Sequence, residues 1–239
     1  MIATRMGLIF GLAGLMLLAA APVSAQVCAP PAPGIVGWWQ GEGGASDLIG
    51  GNPGTVMGAA TFAPSFVGQG FKFGGIPSDI VTVGNPADLQ LQSLTIEAWI
   101  SRSSTAASSF TPGGGCVFCH GVGGYGFGFG DEGRLFLTKI GVNLVDSGDL
   151  KVTDLNFHHV AVTKSGPTVI FYVDGIATTA PAYDPGFVFT TGAAIGAGTH
   201  NLSGFLGIVD EVAIYNSDLT ADEIQAIFAA GTAGKCPPG

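Results

Sequence analysis

The chain has 239 residues, with 8 basic and 17 acidic side chains and a formal net charge of −9. That balance excludes the basic footprint of a nucleic-acid or anionic-membrane partner. Only 10% of the residues are charged while 40 are glycine and 14 proline, a composition of many short strands joined by tight turns.

In chain order, the first feature is export. Met1 to Arg5 carries a positive charge, Gly7 to Ala21 is an unbroken run of apolar and small residues, and Val23-Ser24-Ala25 is a small-residue cleavage pattern. The apolar run is shorter than the roughly 20 residues needed to cross a bilayer. Residues 1–25 are therefore expected to be a signal peptide, and residues 26–239 a single secreted or periplasmic domain with no membrane insertion. In that oxidising setting Cys28 and Cys236, each beside prolines at opposite ends of the mature chain, are expected to form a disulfide that clasps the termini.

Period-two apolar runs follow: Ile35–Trp39, Gly70–Phe73, Ile80–Val83, Leu94–Ile100, Tyr125–Phe129, Arg134–Thr138, His159–Thr163, Val169–Val173 and Phe205–Tyr215. Their β-branched and aromatic enrichment marks them as strands. Gly50–Gly54, Asp131-Glu132-Gly133 and Asp174-Gly175 read as turns between them, Asp-Gly being a strong hairpin signal because the turn needs positive φ. Ser101 to Gly115, rich in Ser, Thr and Gly, reads as a long exposed loop of the kind that carries binding. One helix is expected near the end, capped by Thr220 with Glu223 completing a capping box, striped by Ile224, Ile227 and Phe228, and stopped at Gly231. Antiparallel strands with one terminal helix imply an all-β protein of two packed sheets.

Several stretches carry a family resemblance: Gly37-Trp38-Trp39-Gln40-Gly41-Glu42-Gly43, Val67-Gly68-Gln69-Gly70-Phe71-Lys72-Phe73, Leu94-Thr95-Ile96-Glu97-Ala98-Trp99-Ile100, Phe171-Tyr172-Val173-Asp174-Gly175 and Gly207 to Asn216. In order and spacing they resemble the laminin-G-like, concanavalin A-like jelly-roll family of secreted bacterial proteins. The resemblance spans nearly all of the mature chain and implies a two-sheet antiparallel jelly-roll sandwich. It implies less about function, since this fold carries lectins, adhesion modules, glucanases and spacers. It also implies a calcium site near the N-terminal loop and the returning last strand, which would use Glu42, Asp47 and Asp210; the alternative is that Asp47 shapes a turn and Asp210 bonds buried backbone.

Sugar cleavage in this fold needs paired carboxylates on alternate positions of one strand. Glu97 is followed by Ala98, Trp99 and Ile100, and Asp210-Glu211 would point its acids to opposite faces of a regular strand, so no enzyme activity is expected. Tyr125, Phe127 and Phe129 share one strand face, spaced by glycines that would let a ligand approach, and with His120 they form the expected binding surface. The alternative is that these rings face the core. Of His158 and His159, which point oppositely, at most one would be exposed. Cys116-Val117-Phe118-Cys119-His120 formally matches a haem-attachment pattern. The competing reading is a local disulfide or free thiols, and a Cys116–Cys119 disulfide requires the chain to turn, because three extended residues span about 10 Å and bridged Cα atoms lie within about 7 Å. The expected function is a non-catalytic recognition module for carbohydrate or an extracellular surface protein, with an adhesive spacer or a haem-bearing protein as the alternatives.

Overall fold

The computed structural model describes Met1, residues 27–199 and residues 203–239; apart from Met1, the expected signal peptide lies outside the described residues. The strands are β1 (Ile35–Trp39), β2 (Thr55–Met57), β3 (Thr61–Pro64), β4 (Gln69–Gly74), β5 (Ile80–Gly84), β6 (Leu94–Arg102), β7 (Gly115–Cys119) and β8 (Tyr125–Phe129). They continue as β9 (Arg134–Lys139), β10 (Asn143–Lys151), β11 (His158–Ser165), β12 (Thr168–Val173), β13 (Ile176–Thr179), β14 (Ala193–Ile195) and β15 (Leu206–Tyr215), followed by the helix α1 (Ala221–Ala230).

These strands form two antiparallel sheets. One runs β13-β12-β11-β6-β15-β4-β3, with β1 also paired to β15; the other runs β10-β9-β8-β7-β14-β5-β2. Alternation along each strand sends one set of side chains between the sheets. Ile96, Ala98 and Ile100 of β6 there meet Phe127 and Phe129 of β8, Leu135 and Leu137 of β9, and Trp39. Nearly every expected run became a strand, and the Asp174-Gly175 hairpin has both residues at positive φ, 51° and 77°. The helix begins as its capping box predicts: the Thr220 side chain accepts from the Glu223 amide while the Glu223 carboxylate accepts from the Thr220 amide.

The two sheets differ in what covers their outer faces. Ile224 and Ile227 of α1 pack with Leu219 on Trp38, Tyr172, Ala213 and Tyr215, sealing the outer face of the eight-stranded sheet. The chain ends finish that cover: Cys28 and Cys236 form a disulfide with Cα atoms 5.0 Å apart, and Ala29 forms an isolated bridge with Lys235. At Glu211, which has a φ of 58°, the pairing of β15 with β6 shifts by an extra residue. In a regular strand Asp210 and Glu211 would point oppositely. This bulge instead leaves both buried near the terminal segment, with the Asp210 carboxylate accepting from the Val67 amide and Glu211 beside Lys235.

The clasp closes a loop with a sequence separation of 208. Replacing Cys28 and Cys236 together with serine is expected to lower the unfolding free energy by about 4–5 kcal/mol in the chain-entropy account, measured as a drop in denaturant midpoint.

Candidate functional site

The aromatic row of β8 faces the opposite way from the expected binding surface. Tyr125, Phe127 and Phe129 are fully buried in the inter-sheet core, because their parity matches Leu135 and Leu137 on β9. His120 is buried with them: its ring lies edge-on to Tyr125 with centroids 4.6 Å apart, and its Nε2 and the Tyr125 hydroxyl both reach the Leu89 carbonyl, at 3.0 and 2.8 Å. Burial pushes the His120 imidazole down to about 4 and the Tyr125 phenol upward. All four side chains are buried in the core rather than lining the outer face.

The alternate positions of β8, Gly126 and Gly128, therefore face outward. Their missing side chains are replaced by neighbours. A Cβ on Gly126 would lie 2.8 Å from the Cys119 sulfur, and one on Gly128 would lie 2.9 Å from the Phe136 ring. Cys116 and Cys119 are bonded to each other, with Cα atoms 6.2 Å apart. In a regular strand residues three apart point to opposite faces. Here the pairing of β7 with β8 slips between Cys116 and Phe118, a bulge that shortens the span and puts Val117 and Phe118 both in the core while both sulfurs pack outside it with Ile140. The turn that such a bond requires is supplied inside the strand. Each sulfur of the formal haem-attachment pattern is thus engaged by the other.

The result, among the described residues, is a furrow across the outer face of the seven-stranded sheet. Its middle is lined by Cys119, Phe136, Thr138, Ile140, Leu144 and Ser203. It continues past Phe136 and Leu144 to Asp131, Glu132, Arg134 and Asp146, and on the other side past Gly198 to Met57, Ile80 and Thr82. The floor is apolar and sulfur-rich. One end is charged, with Arg134 3.3 Å from Glu132 and 3.9 Å from Asp146. Part of the expected exposed loop supports this surface from behind. Arg102 is buried, and its guanidinium donates to the Val152 and Asp131 carbonyls; Ser108 is buried too, and bonds the Phe129 carbonyl. Only the loop end, at Gly113, reaches the furrow.

Each of the three expected calcium ligands bonds backbone amides, Asp47 and Asp210 in the manner of the alternative reading. Asp47 accepts from the amides of Trp38, Ile49 and Asn52, the arrangement of a turn-shaping aspartate. Glu42 accepts from the Gln69 amide, and Asp210 from the Val67 amide, with burial pushing its carboxyl up to about 8. Among the described residues no group of three or more His, Cys, Asp or Glu converges as a metal site. His159 is buried, whereas His158 sits part-buried between Asp174, 2.7 Å away, and Asp154, 2.9 Å away. The hydrogen bond to Asp174, ahead of the opposing effect of burial, holds its imidazole up at about 9.

The family model of the concanavalin A-like lectin/glucanases superfamily matches residues 73–225. No curated protein matches the sequence. Among solved structures the chain is similar to domain 4 of an extracellular arabinanase from Geobacillus stearothermophilus, in complex with arabinotriose, at a TM-score of 0.64 and 16% identity, covering 80% of this chain and 96% of that one. It is also similar to the Trypanosoma rangeli sialidase in complex with sialic acid, at a TM-score of 0.62 and 18% identity over 86% of this chain and 36% of that one. A third similarity is to the binding domain of botulinum neurotoxin DC in complex with rat synaptotagmin II, at a TM-score of 0.60 and 15% identity over 82% and 51%. At these identities the likeness is one of fold.

Two outcomes follow from these placements. Tyr125→Ala is expected to cost about 3–5 kcal/mol of stability, the usual range for emptying a large aromatic core site; a change within about 0.5 kcal/mol in chemical denaturation would instead place the ring at the surface. For His158 the folded pKa of about 9 lies above the ordinary 6.5, so its stabilisation is complete below pH 6.5 and is lost as pH rises through 9. A melting-temperature profile should fall across that window, and His158→Gln should flatten it.

Proposed function

The chain belongs to the concanavalin A-like lectin/glucanase superfamily, and on that premise we propose that it is an exported recognition module that binds carbohydrate along the furrow of the seven-stranded sheet. The observation that carries this reading is the asymmetry of the sandwich. One outer face is closed by α1 and the chain ends, while the other keeps an open furrow with an apolar floor and polar ends. Sugars present apolar faces and a rim of hydroxyls, and a floor of Phe136, Leu144, Ile140 and a disulfide with Thr138, Ser203 and charged groups at its margins suits both. The similar arabinanase domain, 96% covered and solved with arabinotriose, supports the same reading.

Binding without catalysis is supported by the carboxylates themselves. Within the furrow Glu132 and Asp146 pair with Arg134, and Asp131 accepts from the amide and hydroxyl of Ser108. A protein partner is the second reading. Val142, Leu144, Val122 and Val188, exposed by 64, 55, 54 and 53%, put apolar side chains at the surface around the middle of the furrow, and proteins use such patches for association. The disulfide clasp is consistent with an extracellular or periplasmic setting.

A glycan array, read with and without EDTA, tests the proposal. A positive ligand should bind at least about tenfold more weakly, a loss of about 1.4 kcal/mol, to Leu144→Asp. As an exposed substitution this variant should keep its stability within about 0.5 kcal/mol. Undiminished binding by Leu144→Asp would move the site off the furrow, and silence across the array would favour a protein partner or a spacer.

A further inference from the structure

Beneath the chain ends, far from the furrow, one amine and two carboxyl groups share a site closed to solvent. Lys235 Nζ lies 2.8 Å from Glu97 Oε1 and 3.2 Å from Glu211 Oε2, and all three side chains are essentially buried. The Trp38 indole lies beside the amine, its ring centroid 5.1 Å from Nζ, and its Nε1–H donates to Glu211 Oε2 at 3.0 Å. On the far side His159 Nε2 is 3.1 Å from Glu97 Oε2.

We propose that Lys235 and Glu211 condense spontaneously into an intramolecular isopeptide bond, with Glu97 carrying the protons. The ammonium first passes a proton to the Glu97 carboxylate. The neutral amine then adds to Glu211 Cδ, forming the N–C bond while the carbonyl electron pair moves onto Oε2, where the Trp38 N–H already donates. Glu97 gives its proton to Oε1 and takes the surplus one from nitrogen, so the Cδ–Oε1 bond breaks and water leaves. Three protons from the ammonium and one from the Glu211 acid end as two on water, one on the amide and one on Glu97.

The surroundings supply the contact and the electrophile, whereas, against the effect of burial, the two carboxyl groups hold Lys235 as the ammonium, so the neutral amine forms only by passing its proton to Glu97. Burial raises the Glu211 carboxyl, and Lys235 offsets this only in part, so it favours the neutral acid that can act as an electrophile. Burial also raises Glu97, but the Lys235 ammonium and the His159 hydrogen bond outweigh it and keep this group a carboxylate. Holding amine and acid in contact confers effective molarities of about 10⁵–10⁸ M, and a fixed N–H at the oxygen where charge develops lowers the barrier further. The product removes a buried ion pair whose desolvation is costly.

The experiment is the intact mass of the mature protein, exported, then reduced and denatured. The expected mass is short of the sequence by one water, trypsin fails to cut after Lys235, and cleavage after the acidic residues between them, such as Glu223, leaves a branched peptide joining the segments that hold Lys235 and Glu211. Glu97→Gln should restore the full mass. If that variant does not fold, the wild-type mass and branched peptide still decide. A full wild-type mass, a link from Lys235 to Glu97, or a deficit that persists in folded Glu97→Gln overturns the assignment.

Discussion

The organisation of this protein depends on a lysine held between two glutamates under its own last residues. A buried charge cluster is costly unless every member is partnered, and here the partners come from distant parts of the chain: Glu97 on β6, Glu211 at the β15 bulge, Trp38 on β1 and Lys235 next to Cys236. The cluster therefore forms only when first strand, central strands and tail are all in register. That closure, together with α1, removes one outer face from solvent and leaves the other as the open surface.

The open face follows from a local choice on β8. Tyr125-Gly126-Phe127-Gly128-Phe129 gives all its bulk to the core and none to the outside. Phe136 and the Cys116–Cys119 disulfide then lie where side chains of β8 would have stood. The floor of the furrow is thus made by residues leaning in from β7 and β9 over bare backbone, which is why it is low enough to run across several strands.

Much of the fold was legible in the sequence because its signals were local. The Thr220–Glu223 box, the Asp174-Gly175 turn and the long apolar strands each carry their own pattern, and the paired terminal cysteines needed only an oxidising compartment. Strands whose pattern is weak went unread: Asn143–Lys151 carries Asp146, Ser147, Gly148 and Asp149, and Thr55–Met57 and Ala193–Ile195 are three residues long. The site was half legible. The segment around Cys116 and Tyr125 was singled out, but its facing was not, since strand parity is fixed by partners rather than by the strand itself. The bulge at Glu211 reversed one further parity argument, the one at Val117 supplied the turn that the Cys116–Cys119 disulfide requires, and nothing in Cys-Val-Phe-Cys or Val-Asp-Glu-Val announces an extra residue.

The joined termini also fix a direction. Cys28 and Cys236 meet on the covered side of the sandwich, and the furrow lies on the other side, two sheets away. Any tether fused at either end, whether a linker, a bead or a neighbouring domain, attaches at one pole and leaves the furrow pointing outward. Presentation is thereby independent of which end is used, and a string of such units joined end to end would display its furrows away from the connecting chain.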